Sequence, residues 1–226
     1  VIWRSAFALA SRGGAGGRLS ILIFHRVLRQ PDALFPGEPF ASQFEALVRH
    51  LRSRFAILPL SVAIRHLRDR TLPAGALSIT FDDGYADNLE VAAPILQKHG
   101  VPATVFVATG YLDGRVMFND LVIEAFRSTR RTDLDLASLG LGRVPLATIE
   151  DRRAAIDRTL GKIKYLALPE RERLAREVIR VAGVATPVGL MLSRDSVTRL
   201  SALGLEVGAH SVSHPILAQL PKDQAL

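Results

Sequence analysis

The stretch from Leu77 to Asn88, LSITFDDGYADN, constrains what this chain can fold into more than any other. Leu77, Ile79 and Phe81 alternate with polar residues, and the run stops at two adjacent carboxylates, a glycine and a tyrosine. That pattern predicts a buried strand that delivers Asp82 and Asp83 to a sharp turn. Carboxylates at the tip of a parallel strand that feeds a helix lie on the face where open α/β sheets and barrels assemble their sites. A second stretch, Leu205 to His214 (LEVGAHSVSH), is a short apolar strand ending in two histidines four residues apart. Two imidazoles with one or two carboxylates make a divalent-metal ligand set.

The remaining pattern is that of strands alternating with helices. Leu19 to Phe24, LSILIF, predicts a first, fully buried parallel strand with His25 at its tip. Phe40, Phe44, Leu47, Val48 and Leu51 recur at helical spacing, and Phe55 to Leu58 suits a short edge strand. Ser61 is the expected N-cap of the next helix. After Gly84 a helix is predicted from Asp87 to His99, bent at Pro94 and closed by Gly100. Ala103 to Thr109 is a third buried strand, and this order implies right-handed βαβ units and a parallel sheet.

From Tyr111 to Leu190 the pattern is of helices only, over Asp120–Arg127, Ile149–Tyr165 and Pro169–Val181, followed by the fourth strand at Leu205–Ala209. The expected division is a helix or tail over 1–18, containing the mildly apolar Ile2 to Ala10, and one α/β domain over 19–226 with a helical insertion at about 111–190. Leu217 to Leu226 reads as a helix just beginning. Four parallel strands cannot close a barrel, so the sequence is expected to be the N-terminal portion of a longer chain.

Composition excludes several classes. With 226 residues, 48% of them hydrophobic, the chain can bury a sizeable core and is not disordered. The absence of cysteine removes disulfides and thiolate zinc sites and leaves a metal only imidazole and oxygen ligands. A net charge of +7 suits a polyanion, yet the arginines are dispersed among acids with no interleaved stacking aromatics, which argues against nucleic acid. Arg127 to Arg131 are expected on a solvated face. The apolar run at Ile2 to Ala10 is too short to span a bilayer and lacks a signal-peptide layout, so cell envelope and cytoplasm both stay open, as does the oligomeric state.

Pro215 pushes His214 out of the α region, so the two histidines straddle a loop rather than one helix face. Asp83 can complete a set of two histidines and one carboxylate that leaves positions open for water and substrate. Adjacent strand residues point oppositely, so Asp82 and Asp83 divide the work: one binds metal and the other acts on metal-bound water. Singly, Asp-Asp-Gly is a turn signal and His-x-x-x-His is weak; their joint occurrence at two predicted strand tips carries the inference. His25 is either a hydrogen-bonded structural histidine or a substrate contact. His50 and His99 are expected in helix-dipole or surface roles, and Phe118 to Asp120 as the cap of the insertion's first helix.

Thr80-Phe81-Asp82-Asp83-Gly84-Tyr85 and His210-Ser211-Val212-Ser213-His214-Pro215 resemble the first and second motifs of the polysaccharide deacetylase family, the carbohydrate esterases that share the NodB homology domain. The similarity also covers His25-Arg26-Val27, residues 72–110 and residues 191–217. It implies a distorted (β/α) barrel with fewer strands than the eightfold form, incomplete here. It further implies Asp82 as general base and a divalent ion (usually zinc) on Asp83, His210 and His214; His25 and Tyr85 are the candidate substrate-side residues. The implied reaction is hydrolysis of an N-acetyl, sometimes O-acetyl, group on a sugar of a polysaccharide. The competing readings are a non-catalytic metal- or sugar-binding remnant of the same fold and a non-haem iron oxygenase, which also uses two histidines and a carboxylate. Strand–helix alternation and paired carboxylates favour hydrolysis. The family's later motifs, which supply a groove arginine or aromatic-proline turn, an oxyanion-hole amide and a histidine acid, follow the fourth strand and do not occur in these 226 residues.

Overall fold

The computed structural model describes residues 13–225 and resolves two compact units. Among the described residues, the first comprises 13–31, Gly37–Asp113 and Met191–Ser213, and the second Asp32–Pro36, Gly114–Leu190 and 214–225. The helix or tail expected over Ile2 to Ala10 lies outside the described residues.

The first unit is organised by a parallel sheet. It begins with β1 (Ser20–Phe24), α1 (Ala41–Arg52), β2 (Ala56–Ile57), α2 (Leu60–Arg68) and β3 (Ala76–Phe81). β1 and β2 both pair with β3 in parallel. All six residues of β3 are buried. Its apolar side chains join a core with Phe44 and Val48 of α1, where the Phe24 and Phe81 rings stack at 5.5 Å and Phe44 meets Phe24 edge-on at 5.3 Å. On the opposite face, the Ser78 hydroxyl donates to the Leu58 carbonyl at 2.9 Å, which satisfies a fully buried polar group. β1 departs from the expected full burial: Leu22 and Phe24 pack on the core, but Ile21 and Ile23 are 48% and 56% exposed. Only the face that carries Leu22 and Phe24 meets the core cluster.

Beyond β3, a π-helical turn at Asn88–Ala92 leads into α3 (Ala93–His99) and then β4 (Thr104–Val107). The irregularity anticipated at Pro94 is taken up by this turn, so that Pro94 opens a regular helix, where its missing N–H is harmless. Gly100, at φ +60°, closes it in the left-handed conformation that favours glycine.

The second unit has its own apolar core, built on α4 (Phe118–Ser128), the antiparallel pair β5 (Asp133–Asp135) and β6 (Arg143–Pro145), α5 (Ile149–Ile163) and α6 (Leu168–Ala182). The β5–β6 pair corrects the expectation of helices only: strands of three residues, each burying a single side chain, are too short to print a period. Met117, not Phe118 to Asp120, is the N-cap of α4, and those three residues form its first turn. Arg127 is not simply solvated, because it pairs with Asp32 and Glu124, both at 2.8 Å. Thr148 and Asp151 form a reciprocal capping box that starts α5.

The chain then returns to the first unit through α7 (Arg194–Ala202), capped by Ser193, and β7 (Glu206–Ala209), which pairs in parallel with β4. The parallel α/β sheet expected from the sequence is present, in the order β1-β3-β4-β7 with β2 also on β3. Ser61 does not cap α2. It sits inside the first turn, and the Glu206 carboxylate accepts both its hydroxyl and its backbone N–H, the latter at 3.2 Å, together with the Thr104 hydroxyl at 2.8 Å. A side chain from β7 therefore satisfies helix donors that no neighbouring residue reaches.

Glu206→Ala is expected to destabilise the fold by about 1 kcal/mol at neutral pH, read by urea unfolding. Burial pushes the Glu206 carboxyl up, but the Ser61 and Thr104 hydroxyls and the Ser61 and Leu60 backbone N–H groups outweigh it and leave it below the usual carboxylate range. A carboxyl depressed by folding contributes stability above its unfolded pKa and loses it as pH falls through the folded value. The gap between wild type and variant should therefore narrow as pH falls below the ordinary glutamate value of about 4.3; a gap that stays unchanged in acid would rule out the ionised cap.

Candidate metal centre

Two turns at neighbouring strand ends build the site. The Asp82 N–H donates to the Phe24 carbonyl at 2.8 Å, which fixes the end of β3 against β1. Asp83 (φ +73°) and Gly84 (φ +84°) then reverse the chain through two consecutive left-handed residues. Aspartate is among the few side chains that tolerate this region, and Gly84 has a second reason to be glycine: a Cβ there would lie 3.0 Å from Val107 Cγ1. The Asp83 carbonyl accepts the Ala108 N–H at 3.1 Å, so the turn lies directly against the end of β4. Asp83 is buried and Asp82 partly so.

His210 leaves β7 with its N–H on the Val107 carbonyl at 2.9 Å. Within the next four residues Ser211 (φ +62°) and His214 (φ +49°) are both left-handed. The backbone between them is strapped to β4's exit: Thr109 N–H donates to Ser211 O at 3.1 Å, Gly110 N–H to Val212 O at 2.8 Å, and the Tyr111 hydroxyl to Ser213 O at 3.1 Å. His214, the residue next along the chain, joins Asp83 and His210 in a cluster whose ligand atoms all lie within 4.8 Å of one another. His210 Nε2 stands 3.5 Å from Asp83 Oδ1. Two imidazole nitrogens and a carboxylate oxygen converging from separate loops suit a divalent cation of the zinc type. The expected ligand set is thus brought together.

His25 and Tyr85, the expected substrate-side residues, fall on different surroundings. His25 is exposed just past β1, and its carbonyl accepts the Asn88 side-chain amide at 2.9 Å. Tyr85 is 4% exposed, with the Arg26 guanidinium 4.8 Å above its ring. Arg26 Nε also donates to Asp87 Oδ2 at 2.8 Å. Burial raises the Asp87 carboxyl above its ordinary range, against the pull of Arg26. Sequence reasoning missed this support (Arg26, Asp87 and Asn88) as well as the Thr109–Tyr111 strap; the signal for the former was the polar tail of DDGYADN. Lys98 and His99 hydrogen-bond Glu45 and hold its carboxyl down at about 2, so His99 ties the end of α3 to α1 and does not have the dipole or surface role expected of it, while His50 meets Arg54 just past its own helix.

A parallel α/β sheet whose strand tips gather one carboxylate and two imidazoles is suited to metal-assisted hydrolysis. The profile of the polysaccharide deacetylase family matches residues 69–226, more than half the chain, and the protein belongs to that family. YxkH of Bacillus subtilis, assigned to the same family by its name, is 30% identical over 90 residues, covering 40% of this chain and 32% of YxkH. A Staphylococcus aureus poly-β-1,6-N-acetyl-D-glucosamine N-deacetylase is 36% identical over 81 residues, 35% of this chain and 28% of its own length. The matches thus span about a third of the curated relatives. Among solved structures, the Streptococcus pyogenes deacetylase PplD, in complex with acetate, shares the fold with a TM-score of 0.52 at 17% identity, over 91% of this chain and 62% of PplD.

Arg26→Met would leave the buried Asp87 carboxylate without its cation and is expected to cost about 3 kcal/mol. Adding Asp87→Asn should recover part of that loss in thermal or urea unfolding. Strictly additive losses would show that the two side chains are not coupled.

Proposed function

We propose that this protein is part of a metal-dependent hydrolase that removes acetyl groups, N-acetyl foremost, from a polysaccharide, and that residues 19–226 form one deacetylase domain interrupted by an insertion at about 111–190. The observation that carries the reading is the convergence of Asp83, His210 and His214 to within 4.8 Å, immediately beside Asp82. By similarity to the Staphylococcus aureus relative, the substrate class is a polymer of N-acetylated amino sugars.

Asp83, His210 and His214 would hold the ion, zinc by the character of the donors. Such a cation polarises an acetyl carbonyl and acidifies bound water. Asp82, the neighbouring carboxylate on the same turn, takes the proton of the attacking water as general base. The oxygen of that water adds to the acetyl carbon, the carbon–nitrogen bond breaks, the nitrogen takes up a proton, and free amine and acetate depart. His25, exposed at the same end of the sheet, is proposed to meet the sugar, and Tyr85 to act there through the Arg26 guanidinium stacked on its ring.

Elemental analysis should find about one zinc-like ion per chain in wild type and none after His210→Ala with His214→Ala. Asp82→Asn should keep the ion, yet lower acetate release from an N-acetylglucosamine polymer by the full-length protein about 100-fold or more. Undiminished release by Asp82→Asn would reject the assigned base.

A further inference from the structure

We propose that the turn Thr109-Gly110-Tyr111 is a positioning element for the metal ligands, and that the Tyr111 hydroxyl is what sets His214. The proposal rests on the metal-centre reading of Asp83, His210 and His214. His210 sits at the end of a strand, where the sheet already fixes it: its N–H is the next rung of the β4–β7 ladder, on Val107 O at 2.9 Å. His214 is placed differently, with the Arg171 guanidinium 3.5 Å from its carbonyl oxygen. It lies beyond the ladder and takes a left-handed φ of +49°, as does Ser211 at +62°. Non-glycine residues hold that conformation only where their surroundings over-determine it.

The turn supplies a constraint on the segment that leads to His214. Three consecutive carbonyls, Ser211, Val212 and Ser213, each accept one donor from three consecutive residues, Thr109, Gly110 and Tyr111, in the same order. The first two donors are backbone groups, and they need the two segments to touch. Gly110 makes that possible, since a Cβ at this position would stand 2.4 Å from Val212 O. The third donor is a side chain, because the turn bends away after Gly110 and the backbone N–H of Tyr111 goes to Ala108 O at 3.0 Å. The phenol spans the remaining distance to Ser213 O at 3.1 Å, the carbonyl of the peptide that joins Ser213 to His214. Tyr111 is 3% exposed, so packing fixes its ring and the hydroxyl works from a rigid mount. Its bond therefore orients the peptide plane from which the His214 side chain departs, and Tyr111 acts on the metal through His214 without touching it.

The test measures zinc affinity of the purified chain by chelator competition, alongside the thermal midpoint of the metal-free protein. Tyr111→Phe, which keeps the ring and removes only the hydroxyl, is expected to weaken zinc binding about five-fold, the effect of one hydrogen bond. Gly110→Ala is expected to weaken it at least about ten-fold, since Val212 must move. The effect of Tyr111→Phe should vanish in a His214→Ala background, where residual binding no longer uses the ligand that Tyr111 sets. A merely structural role would lower the metal-free midpoint equally in both backgrounds and leave affinity unchanged, and that outcome overturns the proposal. Wild-type zinc binding with an identical Tyr111→Phe affinity does the same, whereas a wild type that binds no zinc removes the metal-centre reading itself.

Discussion

The end of β4 is the point on which the site depends. The Ala108 N–H reaches one way to the Asp83 carbonyl, and the Val107 carbonyl accepts from His210 on the other. The parallel register behind these bonds puts Phe81, the last residue of β3, level with Val105 of β4 and Val207 of β7, and β7 runs on to Ala209 opposite Val107, so the turn after β3 and the end of β7 meet at the exit of β4. A slip of one residue in either pairing would turn the terminal side chains to the opposite face and separate the carboxylate from the imidazoles. What protects the register is the apolar half of the same strands: Phe81, Val105 and Val107 are all buried in one core. The polar half can then be spent on the site and on the Ser78, Thr104 and Glu206 contacts.

Residues 114–190, which lie between the two motifs in the chain, belong to the second unit. It carries its own core, with Phe126, Leu134, Ile156 and Val178 among its buried residues, and its own caps at Thr148 and at Gly183, which closes α6. Its internal buttressing is polar as well, with the Thr129 hydroxyl on the Ala182 carbonyl at 2.9 Å. A unit that buries its own apolar surface in this way carries the mark of an independent core.

The strands that carry the motifs were readable because each is a short apolar run ended by residues that have no reason to lie beside a core. Asp83, His210 and His214 were readable for the same reason, through residue type rather than spacing. The burial of β1 was misjudged because LSILIF looks alike whether one face or two are covered, and here only the face of Leu22 and Phe24 packs on the core. The β5–β6 pair left no periodic trace. Glu206 and Tyr111 were invisible for a different cause: each is defined by a partner more than a hundred residues away, Ser61 for the one and Ser213 for the other. Gly110 carried a faint signal, a glycine directly after a strand, but nothing in the chain says which carbonyl it must clear.

The Glu206 cap also sets an order in time. Ser61 and Glu206 are 145 residues apart, and at ribosomal rates of about 5–20 residues per second the helix begun at Leu60 leaves the ribosome roughly ten seconds before its capping carboxylate is made. During that interval β4 has no β7 beside it, and the first turn of α2 must be satisfied by water. The nascent first unit is therefore a sheet that waits for β7, while the buried core of the second unit, from Leu34 to Ala182, has already been made.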